Sequence, residues 1–175
     1  MPIIRRGCTI KKLILIFALV ISPALFADEP EVVFHNFAWG TKMDVFTAKM
    51  GKPAFTEEIN GLKSLIYDKL VVSGYQAFMV VYFSSNGLEG GTYYFNTFSL
   101  DELTRCYKDL QKELLEKYGP TVLCDVIIKE MRPYESAWNL KNGYVYLKVN
   151  TRLNEPVTLW YSSPSLTKSL GLNLK

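Results

Sequence analysis

Two segments of the chain repeat hydrophobic residues at the spacing of an amphipathic helix. The first stripe, within residues 42–50, is formed by Met43, Phe46 and Met50. The second, within residues 100–118, is formed by Leu103, Tyr107, Leu110, Leu114 and Tyr118. A Gly followed closely by a Pro ends each segment, at residues 51–53 and at residues 119–120. Since Gly allows the left-handed cap conformation and Pro prevents continuation, the pattern predicts two helices that end alike.

A hydroxyl residue lies three positions before an acidic residue at the start of each segment. Thr41 precedes Asp44, and Ser99 precedes Glu102. This spacing is typical of a capping box, in which the hydroxyl accepts a hydrogen bond from a backbone N–H and the acid reaches back. Cap, helix and stop therefore occur twice in the same order, with the second helix longer than the first.

Patterns typical of strands follow each helix. After the first helix they cover residues 64–72, 75–83 and 88–95, with a turn at Asn86 and Gly87. After the second they cover residues 121–129, 136–140, 144–150 and 157–163. Within residues 76–83 both alternating sets are apolar, so we expect a central strand that is covered on both faces. The predicted fold class is α+β: two tandem α-βββ-like units, with helices packed on antiparallel sheet.

The amino-terminal residues have the pattern of a secretory signal peptide. Arg5, Arg6, Lys11 and Lys12 precede an apolar run that Pro23 interrupts and that ends at Ala27. The run is short for a membrane span, although a retained anchor and a buried helix stay as alternatives. The predicted organisation is residues 1–27 as signal peptide, 28–97 and 98–163 as the two units, and 164–175 as a tail.

Cleavage after Ala27 changes the charge balance. The chain has 20 Lys and Arg against 17 Asp and Glu, and removal of the four basic residues leaves 16 against 17. Nothing basic then indicates binding to nucleic acid or to an anionic membrane. We expect an exported protein, periplasmic or secreted, with no membrane span after cleavage. Its oligomeric state stays open.

Two cysteines remain after cleavage, Cys106 and Cys124. An exported protein meets oxidising conditions, which favours a disulfide between them. A helix from Cys106 to Gly119 would rise about 19 Å, and five extended residues would return about 16 Å. The two sulfurs could thus meet, and two buried free thiols are the alternative.

Motifs for catalysis, metal binding or nucleotide binding do not occur in the sequence. His35 is the one histidine, and no cluster of Cys, His and Asp has the spacing of metal ligands. Of the two pairs of adjacent carboxylates, Glu57 and Glu58 fall in an expected loop, and Asp101 and Glu102 suit a helix amino terminus. We therefore expect a protein that is not an enzyme and has no catalytic residue, metal or cofactor.

Aromatic residues in the last strands indicate a binding surface. If the aliphatic residues of 144–150 and 157–163 face the helix, Tyr144, Tyr146 and Trp160 share the opposite face, and Trp138 could join them. Rigid aromatic rings on a sheet suit protein binding. The alternative is that these rings only pair across strands or lie under the other half of the protein.

The stretches WGTKMDVFTAKMGKP, LIYDKL and VVYFSSNGLEGG, within residues 39–95, resemble small bacterial envelope proteins of the SmpA/OmlA (BamE-like) type. Two such units in tandem resemble the β-lactamase-inhibitor-like fold, in which a sheet face grips another protein. The resemblance implies this fold and protein binding. Family members of the first type are lipoproteins, and here no Cys follows the apolar run. The resemblance is therefore not taken to imply that this protein belongs to the outer-membrane assembly machinery.

The sequence thus favours an exported, non-enzymatic binding module that contacts another envelope protein through a sheet face. The alternative is a periplasmic carrier of a small ligand or lipid, with residues 76–83 lining an internal pocket.

Overall fold

The computed structural model describes residues 31–59, 61–96, 99–121, 123–124, 133–150 and 155–170, and of residues 123, 124 and 133 it describes the backbone alone. The predicted signal peptide lies outside these residues. In chain order the elements are α1 (Met43–Met50), β1 (Phe55–Ile59), β2 (Leu62–Val72), β3 (Tyr75–Ser84), β4 (Gly87–Phe95), α2 (Leu100–Tyr118), β5 (Leu123–Cys124), β6 (Pro133–Leu140), β7 (Gly143–Asn150), β8 (Val157–Ser162) and α3 (Pro164–Ser169).

The strands form one antiparallel sheet in the order β1-β2-β3-β4-β8-β7-β6-β5. The chain combines helices with a sheet, but the prediction of two tandem α-βββ units is wrong. β4 and β8 pair along their length, from Gly90 opposite Ser162 to Phe95 opposite Val157. The backbone hydrogen bonds of this pairing continue the sheet without an edge between the halves. The helices also differ, since α2 buries six side chains and α1 buries Phe46 alone.

The hydrophobic core lies between the helices and one face of the sheet, called here the inner face. Met79, Val81, Tyr93 and Leu147 point into this core from the central strands. The longer helix α2 lies across β6, β7 and β8, and the ring of Phe46 in α1 packs edge-on against Phe83. The core therefore runs continuously from one half of the chain to the other.

The segment before α1 belongs to the core. Val32 and Phe34 are fully buried, and Phe34 pairs with Phe37 in a tight hairpin by two backbone hydrogen bonds. A side chain at Gly91 would collide with the Phe34 ring, so Gly91 is needed for this contact. Gly91 thus serves close packing, and β4 has a bulge at Glu89, where the β3–β4 register shifts.

The first predicted capping box does not form. The N-cap of α1 is Lys42, without a side-chain cap, and the Thr41 hydroxyl donates to Ala38 O at 2.7 Å. The reason is that the backbone before α1 pairs with β4: Gly40 N donates to Leu88 O and Leu88 N to Thr41 O, each at 2.9 Å. This pairing delays the helix start by one residue.

The second capping box is present. The Ser99 hydroxyl accepts from the backbone N–H of Glu102 at 3.2 Å and also contacts the Glu102 carboxylate. Both predicted helix stops are present as well, because Gly51 and Gly119 adopt φ angles of 83° and 77°. The sequence therefore predicts correctly where both helices end and where α2 begins.

Two elements differ from the sequence-based prediction. Residues 55–59, expected as a loop, form the edge strand β1, and all five side chains are exposed. Residues 164–169, expected as the start of a tail, form α3, with the Ser163 hydroxyl as cap and Leu166 buried. Of the strand predicted over 121–129, two residues form β5, and residues 125–129 lie outside the described chain. In the described part of the chain no helix has the length and apolar character needed to cross a membrane.

Candidate binding face

The second face of the sheet, called here the outer face, carries a row of aromatic side chains. Residues directly opposite each other in neighbouring strands share a face. The register places Trp160 beside Thr92 and Tyr146, and Tyr94 beside Phe78. The aromatic row consists of Phe78, Tyr82, Tyr94, Tyr144, Tyr146 and Trp160. It crosses four adjacent strands, β3, β4, β8 and β7.

Three of the four residues predicted for a binding face meet in this row. The rings of Tyr144 and Tyr146 stack with centroids 6.2 Å apart, and Trp160 meets Tyr144 edge-on at 5.9 Å. Tyr146 and Trp160 are partly exposed, whereas Tyr144 is buried. The two partly exposed rings are therefore the ones that offer contact area to another molecule.

The fourth predicted residue, Trp138, lies elsewhere. It stands opposite Val145, fully buried in the inner-face core, and its indole N–H donates to Gly119 O at 2.9 Å. Trp138 thus anchors the end of α2 to β6. The structure does not bring it together with Tyr146 and Trp160.

The row extends to residues that the sequence analysis did not assign to a binding face. Phe78 and Tyr94 stack nearly parallel, with centroids 4.6 Å apart and an angle of 9° between the planes. Tyr82 lies near them, and both Phe78 and Tyr82 are partly exposed. Met79 and Val81 are fully buried on the inner face. On the outer face Val80 is buried between the two partly exposed rings, so residues 76–83 are fully covered on the inner face and partly covered on the outer face. The rings at 78 and 82 alternate with the inner-facing residues 79 and 81, and this spacing is the sequence signal that places both rings on the outer face.

Further apolar side chains continue the outer face toward β1. Phe55 and Val71 are about 70% exposed, and Ile59 is 38% exposed. The strand register puts all three on the same face as the aromatic row. Exposed large apolar side chains that form a continuous surface mark interaction sites more often than scattered ones do.

Near Gly90 and Ser162 the outer face is covered by α3. Leu166 packs on Gly90, where a side chain would collide with it, and the hydroxyls of Ser162 and Thr167 lie 2.7 Å apart. Ser162 stands opposite Tyr144 in the register, which explains why Tyr144 is buried while Tyr146 is not. Among the described elements, α3 is the one that contacts this face.

Burial raises the pKa of three phenol groups of the row, those of Tyr94, Tyr144 and Tyr146. Burial, and then the charge of Glu135, raise the pKa of Tyr144 to about 12. The same causes, with a hydrogen bond to Glu135, raise the pKa of Tyr146 further. Burial, followed by the neighbouring Tyr82, raises the pKa of Tyr94. The row therefore presents neutral rings with hydroxyl groups that can donate and accept hydrogen bonds.

The predicted disulfide stays a prediction. Cys106 is fully buried in the core, and the side chain of Cys124 lies outside the described structure. Burial, and then the charge of Asp109, raise the pKa of Cys106 to about 12. A thiol in this environment is a poor nucleophile, because the reactive thiolate is disfavoured.

The other groups considered for chemistry do not assemble into a site. The described residues contain no group of three His, Cys, Asp or Glu side chains that could hold a metal ion. Glu57 and Glu58 are consecutive residues of β1, so they point to opposite faces of the sheet. His35 forms a hydrogen bond between its Nδ1 atom and the Tyr93 hydroxyl at 2.7 Å.

No family model and no curated protein matches the chain. One solved structure that is similar is an extracellular protein containing an SCP domain from Bacillus anthracis. The TM-score is 0.46 and the identity 10%, and the match covers 81% of this chain and 51% of that chain. The match thus spans about half of that protein, and a likeness this weak carries no argument about fold or function.

Proposed function

We propose that this protein is exported and binds another envelope protein through the outer face of its sheet. The observation that carries the proposal is the partly exposed aromatic row on a face that α1 and α2 do not cover. Tyr and Trp are enriched in binding hot spots because their rings bury a large area at a low cost in side-chain entropy.

The chemistry of the outer face favours a partner with a flat, largely apolar surface. Charged side chains are scarce in the middle of the aromatic row and occur beside it, at Glu135 and Lys148, which face each other across β6 and β7. An apolar centre with charged groups at the rim is the usual anatomy of a protein interface. The neutral phenols add hydrogen-bonding groups that can orient the partner.

A lipid carrier is less well supported. A cavity of about 160 Å³ lies on the inner side, and residues 76–83, expected to line a pocket, take no part in its wall. Pockets for drug-sized ligands have volumes of roughly 300–1,000 Å³. A lipid chain would not fit into this cavity.

Two substitutions on the outer face test the proposal. Tyr146→Thr and Trp160→Thr keep the preference for strand structure and remove the partly exposed rings. Each variant should lose at most about 1 kcal/mol of unfolding free energy, because cross-strand surface pairs contribute about that much. Each should retain less than about a tenth of the bound partner when the tagged protein is used for affinity capture from envelope extracts.

The matched control is Leu115→Gln, which removes an exposed apolar side chain from α2. It should leave capture unchanged. Capture that survives both outer-face substitutions would contradict the proposal. So would a stability loss of about 3–5 kcal/mol in either variant, since that size is typical of core aromatic residues.

A further inference from the structure

A second feature, separate from the outer face, is the small cavity between the segment before α1, the β2–β3 turn and α2. Its volume is about 160 Å³, which is room for about five water molecules at roughly 30 Å³ each. Its wall includes the apolar side chains of Val33, Val72, Leu110, Leu114 and Leu159. Polar groups from five different segments converge on the same space.

The polar wall contains two phenols and one imidazole. The rings of Tyr93 and Tyr161 are perpendicular, with centroids 6.3 Å apart, and His35 is hydrogen-bonded to the Tyr93 hydroxyl at 2.7 Å. Burial lowers the pKa of His35, so the imidazole is neutral at pH 7. Each of the two rings also packs against Phe34, so the polar atoms that this wall can offer a ligand are the phenol hydroxyls and the imidazole.

Two opposite charges lie at the open side of the cavity, one turn apart on α2. Glu113 accepts a hydrogen bond from the Ser73 hydroxyl at 2.6 Å, and Lys117 lies with its ammonium 4.9 Å from the centre of the Tyr118 ring. Glu113 is near enough to contribute to the raised pKa of Tyr161. Glu113 is thus held in place by Ser73, and Lys117 by the Tyr118 ring, rather than by each other.

Two irregular features surround this cavity. His35 and Asn36 have φ angles of 51° and 65°, in the left-handed region that side-chain-bearing residues seldom adopt. Beside the cavity wall, the buried Tyr118 hydroxyl has no hydrogen-bond partner among the described residues, and it lies near enough to Tyr161 to affect its pKa. Backbone strain and unsatisfied hydroxyls tend to occur at functional sites.

From these contacts we infer that the cavity binds a small zwitterion of the size of one free amino acid with an apolar side chain. The ammonium group pairs with Glu113, the carboxylate pairs with Lys117, and the side chain fills the apolar wall. The site carries equal and opposite charges, so a ligand with a single charge leaves one of them unpaired.

The test is a calorimetric and NMR titration of the purified protein with L-leucine and L-valine, with N-acetyl-L-leucine and L-leucinamide as single-charge analogues. Leucine or valine should bind with a Kd of about 1 mM or tighter, and the analogues at least tenfold more weakly than leucine. Failure of both amino acids to bind at about 10 mM would overturn the inference, as would equal binding of an analogue.

Substitutions of Glu113 and Lys117 test which charged group of the ligand each residue contacts. Glu113→Gln should remove the preference for leucine over N-acetyl-L-leucine, and Lys117→Gln the preference over L-leucinamide. Glu116→Gln and Lys112→Gln are matched controls, because both residues are exposed on α2 and do not line the cavity. Equal effects in the controls would overturn the assignment. Trp160→Thr should leave leucine binding unchanged, so this inference can fail without the proposed function failing.

Discussion

At the residue scale, His35 is the clearest case of a side chain whose surroundings decide its chemistry. It lies in a tight turn with a positive φ angle, half-buried against Tyr93. Burial lowers its pKa from the ordinary value of 6.5, because the charged imidazolium would lose solvation. The folded state therefore disfavours a proton that the unfolded chain accepts readily.

This difference predicts a pH dependence of stability. Above pH 6.5 the imidazole is neutral in the folded and in the unfolded protein, and its contribution to the free energy of unfolding is fully present. As the pH falls below 6.5, the unfolded chain binds a proton that the folded protein does not, so the free energy of unfolding decreases. His35→Asn, which tolerates the positive φ angle, should show a smaller decrease between pH 7 and pH 5 in urea unfolding. Equal decreases in the two proteins would contradict the assignment.

The sequence predicts only some of the aromatic residues that share a face of the sheet. Tyr144, Tyr146 and Trp160 could be placed together because alternation within a strand is fixed and their two strands are neighbours. Trp138 was misplaced because the side it faces depends on the register of β6 against β7. A shift of one residue reverses every side chain, and the register is set by long-range pairing that the local sequence does not contain.

At the element scale, the two helix starts show how a local motif can be overruled. Ser99 caps α2 as its sequence indicates, whereas Thr41 does not cap α1 because Gly40 and Thr41 are engaged by Leu88 of β4. Capping preferences are worth about 1 kcal/mol, so pairing with a strand is enough to displace them.

A pair of matched substitutions measures this difference. Ser99→Ala should lower the unfolding free energy by about 1 kcal/mol, because it leaves an N–H of α2 without its acceptor. Thr41→Ala should cost less, since its exposed hydroxyl bonds only to Ala38 O, which water can replace. Urea unfolding monitored by circular dichroism gives both values. A larger loss for Thr41→Ala would show that the first capping box is formed in solution.

The edge strand β1 could not be predicted from its own residues. All of its side chains are exposed and two adjacent glutamates interrupt any alternation, so its sequence, FTEEI, has no buried face to reveal it. Its extended structure depends on pairing with β2, from Phe55 opposite Ile66 to Ile59 opposite Leu62. By contrast, buried and more exposed side chains alternate along residues 145–149 of β7, and this alternation in its sequence identifies it as a strand.

At the scale of the whole molecule, one sheet with two unlike faces replaces the two predicted units. The sequence indicates a doubled order of helix and strands, but not that the last strands of both halves pair with each other. That pairing joins the aromatic rings of β3 and β4 to those of β7 and β8. The outer face is therefore wider than either half could provide.

The central claim is that this outer face is the contact surface, and site-specific photo-crosslinking in the native envelope tests it most directly. A benzoylphenylalanine residue in place of Tyr82, which is partly exposed on the outer face, should give one discrete adduct with another protein. The same residue in place of Leu115, exposed on α2, should give none. An adduct from position 115 with none from position 82, or equal adducts from both, would contradict the claim.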